Sequence, residues 1–102
     1  KKWIISSISP KGELIIDDGA ISALRNGKSL LAAGIKKVNG KFYKGDHIKI
    51  LNKSSKEYAR GLSSFNSDEI IKIKGHHSNK IKEILGYVAK SEVVHKDDMV
   101  GI

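Results

Sequence analysis

Cysteine is absent from this chain of 102 residues, which excludes disulfide bonds and thiolate metal sites and fits a reducing, cytoplasmic setting. Apolar runs reach only a few residues, so the sequence predicts no membrane-spanning helix and no signal peptide. The single methionine is Met99, and a chain that starts at Lys1 is expected to be a domain of a longer protein. Its length suits one compact domain.

Arginine is scarce: of the 19 basic residues, only Arg25 and Arg60 are arginines. The formal net charge of +8 is concentrated in residues 1–51, which hold ten basic and four acidic residues. A one-sided basic surface indicates an anionic partner such as RNA. A lysine-rich solvated surface explains the same excess, and base-stacking sites usually favour arginine. Charge alone leaves both interpretations open.

Short apolar runs between turn residues predict several strands in the first half of the chain. The predicted elements are a strand over residues 13–17, a short helix that runs to Arg25, and one or two strands over residues 29–38 with a kink at Gly34. Asp17 or Asp18 is expected to cap the helix, because a carboxylate accepts hydrogen bonds from free backbone amides. Asn26-Gly27 is expected to end it.

The second half of the chain predicts a hairpin, two short helices and a closing strand. Residues 47–50 alternate as a half-buried strand, and residues 57–62 return as its partner. The helices are expected to start at Ser67, with its hydroxyl as the cap, and near Ser78. One strand is expected in the tail, over residues 93–100. Together these elements predict a mainly β barrel or sandwich with short helices.

The step Gly27-Lys28-Ser29 is similar to the end of a phosphate-binding loop. Such a loop needs a glycine five residues before Gly27, where this chain has Ser22. It also needs a strand before and a helix after, whereas the predicted order here is helix, loop, strand. The carboxyl end of a helix carries a negative partial charge and repels phosphate. The sequence therefore predicts a helix end that leads into a buried strand.

Other polar clusters predict no catalytic or metal centre. The histidines at positions 47, 76, 77 and 95 lack the spacing of three or four convergent zinc ligands and are expected at the surface. The pairs Asp17-Asp18 and Asp97-Asp98 are explained by a helix cap and a turn, and no nucleophile–base pair stands out. Most of the six aromatic residues are expected in the core, with one ring of Phe42-Tyr43 facing outward.

Several motifs together resemble a PUA domain, and more narrowly the PUA domain at the C-terminus of bacterial glutamate 5-kinases. The general motifs are Gly12-Glu13-Leu14, Asp18-Gly19-Ala20, Gly27 to Ile35, Gly45-Asp46 and Ala59-Arg60-Gly61-Leu62. The narrower match lies in Ile84-Leu85-Gly86-Tyr87 and in residues 92–100, and Trp3-Ile4 is similar to the segment that joins the two domains of those kinases.

The resemblance implies a PUA-like pseudo-β-barrel over residues 12–102. Residues 1–11 are then expected to be a connector from an N-terminal kinase domain that is absent from this sequence. That absent domain would use ATP and Mg²⁺ to phosphorylate glutamate in proline biosynthesis, so the PUA domain is expected to be non-catalytic and without cofactor. Its implied partners are its own kinase domain or a neighbouring subunit, in a regulatory or assembly role. The alternative is RNA binding, for which the resemblance selects Arg25, Lys28, Lys36 and Arg60.

Overall fold

The structure, a computed structural model, describes residues 9–87 and 89–101. Most of the predicted connector, including Trp3, lies outside the described residues. The strands are β1 (Gly12–Ile16), β2 (Leu30–Leu31), β3 (Ile35–Asn39), β4 (His47–Leu51), β5 (Glu57–Leu62), β6 (Glu92–Val94) and β7 (Met99–Gly101). The α-helices are α1 (Asp18–Arg25), α2 (Ser67–Ile73) and α3 (Ile81–Leu85), and single 3-10 turns cover Ala32–Gly34, Ser78–Lys80 and Lys96–Asp98.

Five of the described strands form one sheet in the order β3-β1-β4-β5-β7, and β2 pairs with β6 in a second, two-stranded sheet. The pairing of β1 with β4 is parallel, whereas the other pairings in both sheets are antiparallel. Because β3 and β7 remain edge strands, the larger sheet is not closed. The prediction of a mainly β pseudo-barrel with short helices is confirmed.

The predicted ends of α1 are confirmed. The Asp17 carboxylate accepts a hydrogen bond from the Ala20 amide at 2.8 Å, which satisfies a free donor in the first helical turn. Asn26 ends the helix, and Gly27 adopts a φ of +75°, a left-handed conformation that glycine enters without steric cost. The chain then forms β2, turns at Ala32–Gly34 and continues as β3. The prediction of two strands with a kink at Gly34 is therefore confirmed.

Two predictions in the second half were wrong in detail. The cap of α2 is Asn66, whose amide donates to the Glu69 carboxylate at 2.9 Å, and not the Ser67 hydroxyl. The Ser67 oxygen instead accepts from the Phe42 amide at 3.2 Å. The tail forms two strands in different sheets, because the turn Lys96–Asp98 redirects the chain between β6 and β7.

Strand β4 does not alternate between buried and exposed residues, and His47 is not a surface histidine. His47 and Leu51 are both buried, although their pairing register places them on the face opposite to Ile48 and Ile50. Burial on both faces is typical of a central strand, and β4 lies in the middle of the five-stranded sheet. The sequence suggested alternation because the polar residues His47 and Lys49 are each followed by an isoleucine.

Helices and the smaller sheet pack against the larger sheet and enclose the core. Its largest fully buried side chains come from both sheets, from α2 and α3, and from the loop between β3 and β4: Leu14, Ile16, Leu30, Ile35, Phe42, Ile48, Ile50, Ile70, Ile73, Ile81, Val93 and Val94. This packing fixes α1 and the turn Lys96–Asp98 beside β5, where the candidate site lies.

Among the described residues, no helix is both long and apolar enough to cross a membrane. Within the same two ranges, 9–87 and 89–101, no group of three or more His, Cys, Asp or Glu side chains is placed to hold a metal ion.

Candidate functional site

A groove of 690 Å³ separates the end of α1 from β5 and from the tail of the chain. Its polar lining comes from Arg25 and Lys28 at the end of α1, from Tyr58 on β5, and from Lys96 and Asp97 in the tail. Three cations against one carboxylate make the groove electropositive at neutral pH. The site is thus assembled from segments that are separated by tens of residues in the sequence.

The loop after α1 is held rigidly. The Gly27 amide donates to the Leu24 carbonyl and the Lys28 amide to the Ala23 carbonyl, both at 3.0 Å, so backbone hydrogen bonds satisfy the end of the helix. The Ser29 hydroxyl accepts from the Lys96 amide at 2.8 Å and ties this loop to the tail. These bonds fix the segments that carry Lys28 and Lys96 next to each other in the groove.

Arg25 is oriented by Tyr58. Its guanidinium carbon lies 5.7 Å from the centre of the tyrosine ring, within cation–π range, and its Nε donates to the tyrosine hydroxyl at 3.2 Å. Arg25 is also one of the residues that line the groove. Arginine presents a planar fork of donors to phosphate or carboxylate oxygens. The groove can therefore bind an anion beside an aromatic ring.

The loop Gly27-Lys28-Ser29 does not form a nucleotide-binding loop. Lys28 follows the carboxyl end of α1 and precedes β2, so the amides of a following helix are not directed at it. The predicted order of helix, loop and strand is confirmed.

The structure brings two of the four predicted contact residues, Arg25 and Lys28, to the same groove. Lys36 is exposed on the edge strand β3, which β1 and β4 separate from β5. Arg60 lies on β5, but its guanidinium forms an ion pair with Glu57. Neither Lys36 nor Arg60 lines the groove.

Sequence reasoning missed Lys96 and Tyr58 as members of the site. Lys96 reaches the groove only because β6 and β7 pair with strands from earlier parts of the chain. Tyr58 was expected in the core, and it does pack against the core with part of its surface while the hydroxyl meets Arg25. The sequence around Tyr58 does not indicate that its ring and hydroxyl contact Arg25, because a tyrosine can lie in the core or at the surface.

Arg60 and Glu57 form a partly buried charge cluster with Lys49. The hydrogen bond from Arg60 holds the pKa of the Glu57 carboxyl below its ordinary value of 4.5 and raises the pKa of the guanidinium. Lys49 on the neighbouring strand adds a weaker attraction, with its Nζ 3.9 Å from the Glu57 carboxylate. Because the folded state lowers this pKa, the ionised carboxylate stabilises the fold above pH 4.5, and the contribution is lost as pH falls through the lowered pKa.

We expect Glu57→Gln to lower the free energy of unfolding by up to about 1 kcal/mol at neutral pH. The difference from the wild type should vanish in acid, where Glu57 is protonated. Urea unfolding over a pH series measures this. Glu83→Gln is the control, because the Lys80–Glu83 pair is largely exposed and should contribute almost nothing. A difference that stays constant down to the lowest pH would contradict the assigned charge cluster.

Comparison with known proteins identifies the fold family. The profile of the PUA domain matches residues 12–85, which is most of the chain. The chain belongs to the PUA domain family. This confirms the resemblance found in the sequence motifs.

Curated relatives of this PUA domain are glutamate 5-kinases. It is 72% identical over 102 residues to the glutamate 5-kinase of Pelagibacter ubique (strain HTCC1062), covering 100% of this chain and 28% of that protein. It is 48% identical over 100 residues to the enzyme of Bartonella henselae, covering 98% of this chain and 26% of that protein. The chain thus spans little more than a quarter of these relatives, and the match lies in their C-terminal region.

Solved structures share the fold at low sequence identity. A PUA domain of Aeropyrum pernix K1, crystallised with tartrate, has a TM-score of 0.62 and 23% identity, covering 83% of this chain and 41% of that chain. A chain of the archaeal box H/ACA sRNP Nop10–Cbf5 complex has a TM-score of 0.60 and 23% identity, covering 90% of this chain and 26% of that chain. These similarities support the fold alone.

Proposed function

We propose that this PUA domain is the non-catalytic C-terminal module of a cytoplasmic glutamate 5-kinase, and that it controls the assembly and regulation of that enzyme. The observation that carries the proposal is the 72% identity to the C-terminal region of a glutamate 5-kinase over the whole chain. The proposed parent transfers the γ-phosphoryl group of ATP, with Mg²⁺, to glutamate in a separate kinase domain.

Four of the eleven carboxylates of the PUA domain have structural roles that agree with a non-catalytic module. Asp17 caps α1, Glu69 accepts the Asn66 amide at the start of α2, and Asp46 accepts the Tyr43 amide at 2.8 Å. Glu57 is paired with Arg60. Phosphoryl transfer requires carboxylates that hold Mg²⁺ at the phosphates, and each of these four already serves the fold.

The test is removal of the PUA domain from the complete kinase. We expect the truncated enzyme to retain phosphorylation of glutamate, while its oligomeric state or its inhibition by proline changes. Light scattering after size-exclusion chromatography and steady-state assays with and without proline measure these properties. The isolated chain with ATP, Mg²⁺ and glutamate should show no turnover. A truncated enzyme with unaltered assembly and unaltered inhibition would overturn the proposal.

The electropositive groove favours RNA binding as a second candidate function. Arg25, Lys28 and Lys96 line it beside the Tyr58 ring, and lysine and arginine contact RNA phosphates without reading sequence. The fold is shared with a chain of an H/ACA RNP bound to a substrate RNA, at a TM-score of 0.59 and 21% identity. The contacts proposed within the groove are Arg25 and Lys28, with Lys96 added; Lys36 and Arg60 remain proposed contacts outside it.

Filter binding with structured RNA over a range of salt concentrations tests this second function. We expect the logarithm of the binding constant to fall with the logarithm of salt, and Arg25→Gln with Lys28→Gln to reduce that slope by about 2. The control is Lys72→Gln with Lys82→Gln, which removes the same charge from exposed positions on α2 and α3. An equal loss of slope in both double variants would contradict binding in the groove, as would no binding at low salt.

A further inference from the structure

The start of α2 lies between two open grooves that carry large, exposed apolar side chains. Tyr43 and Ile71, which are 56% and 52% exposed, line a groove of 430 Å³. Tyr87, which is 46% exposed, lines a groove of 530 Å³, and Asn66 borders both. In the part of the chain that the structure describes, Leu31 is the one other large apolar side chain with comparable exposure. Tyr43, Ile71 and Tyr87 are called the α2 apolar surface below.

Hydrogen bonds hold this surface in a fixed shape. The Phe42 amide donates to the Ser67 hydroxyl at 3.2 Å, and the Ser67 amide donates to the Phe42 carbonyl at 2.9 Å. The Lys44 amide donates to the Asn66 side chain at 2.8 Å. The loop that carries Tyr43 is therefore bonded to the first turn of α2. Binding to a surface that is already ordered costs less conformational entropy than binding to a mobile loop.

The chain enters the domain beside the same surface. The Lys11 amide donates to the His47 carbonyl at 2.8 Å, and a Cβ added at Gly40 would lie 3.1 Å from the Lys11 carbonyl oxygen. Gly40 and Phe42 both line the groove of Tyr43 and Ile71. The backbone that precedes β1 thus runs along one end of that groove. In the glutamate 5-kinase relatives, the matched region is C-terminal, so the rest of their polypeptide is connected through the segment that precedes β1.

We propose that the α2 apolar surface is the docking surface of this PUA domain for the N-terminal domain of its own polypeptide. The proposal rests on the function proposed above, because it requires a preceding kinase domain. Covalent linkage would keep that domain at a high effective concentration, so a small apolar surface is sufficient for docking. Tyrosine side chains are enriched at protein–protein contacts because they bury a large area with few rotatable bonds.

Charge at the edges of the grooves defines the chemistry of the partner surface. Lys41, Lys44 and Lys90 are exposed around the α2 apolar surface. Two carboxylates oppose these three cations: the exposed Asp68 near Ile71, and Glu69, which lines the groove of Tyr87 and accepts from the Asn66 amide. The complementary patch on the kinase domain is therefore apolar at its centre, with an excess of carboxylates around it.

Thiol labelling of the complete, nuclease-treated kinase tests the docking surface. The PUA domain has no cysteine, so the thiols introduced by Tyr43→Cys and by Leu31→Cys are each unique within it. Peptide mass spectrometry follows maleimide labelling, and each rate is divided by the rate of the same variant in denaturant. A surface docked for about nine tenths of the time reacts about tenfold more slowly, because only the open state is labelled. We expect this slowing at position 43 and not at position 31.

A second pair of variants separates docking from local structure. Ile71→Asp places a charge in the apolar surface, whereas Lys72→Asp makes a larger charge change at an exposed neighbouring position of α2. We expect Ile71→Asp, and not Lys72→Asp, to restore fast labelling at position 43. Equal normalised rates at positions 43 and 31 overturn the proposal. Slowing that disappears on dilution of the kinase also overturns it, because a contact within one polypeptide does not depend on concentration.

The result is independent of the deletion experiment above. If deletion of the PUA domain alters assembly or proline inhibition while position 43 is labelled freely, the docking surface is wrong and the proposed function stands. If position 43 is protected while deletion changes neither property, the docking surface stands and the regulatory role is wrong.

Discussion

Leu14→Ala is expected to lower the free energy of unfolding by about 2–5 kcal/mol, which is the largest single effect that we predict. Leu14 is fully buried in β1, and its pairing partners are Val38 on β3 and Ile50 on β4. Truncation removes apolar contacts on both sides and leaves a cavity in a sheet whose neighbouring strands cannot collapse to fill it.

The control for this prediction is Leu31→Ala, which removes the same atoms from a leucine that is 44% exposed. Its expected effect is within about 0.5 kcal/mol, because little apolar surface returns to water. Thermal unfolding followed by circular dichroism measures both variants, and Leu14→Ala should lower the midpoint by roughly 10 °C or more. Similar losses in the two variants would show that β1 is not at the centre of the core.

Gly61→Ala is the second large effect, with an expected loss of about 1–3 kcal/mol from overpacking. Gly61 on β5 pairs with Ile48 and with Met99, and its open face meets β6. A Cβ at this position would lie 2.6 Å from the Val94 side chain and 2.9 Å from the Asp98 carbonyl oxygen. Because the second of these atoms belongs to the backbone, the new methyl group displaces the tail and not only a side chain.

Gly101→Ala is the matched control, since an added Cβ there meets no atom within 4 Å. Both glycines lie in paired strands of the five-stranded sheet, so a change in strand propensity affects them alike. Chemical unfolding should show a loss for Gly61→Ala and a change within about 0.5 kcal/mol for Gly101→Ala. Equal effects would mean that β5 and β6 are not in close contact. A displaced tail would also move Lys96 and widen the electropositive groove.

The sequence identified most local boundaries because local chemistry determines them. A carboxylate at Asp17 and a glycine at position 27 bound α1 through contacts within a few residues of the chain. The hairpin of β4 and β5 follows from two apolar runs and the polar loop between them. Ser67 shows the limit of such reasoning, because two adjacent residues, Asn66 and Ser67, can each cap a helix. In the structure the Ser67 hydroxyl accepts from the Phe42 amide, and Asn66 is the cap.

The candidate site was only half predictable. Arg25 and Lys28 follow from the sequence because the end of one helix places them near each other. Lys96 and Tyr58 do not, since no periodic pattern records which distant segments will meet. Arg60 stays a predicted contact outside the groove, and its guanidinium is paired with Glu57 on the same strand. The burial of His47 likewise depends on the position of β4 among five strands.

For this protein, the sequence by itself determined the helix ends, the main hairpin, the mainly β fold and the membership of the PUA family. Each of these depends on contacts between neighbouring residues or on motifs that can be read along the chain. Tertiary structure alone decided the parallel pairing of β1 with β4, the electropositive groove and the α2 apolar surface. These features join segments that are far apart in sequence, and only the burial of one shared core brings such segments together.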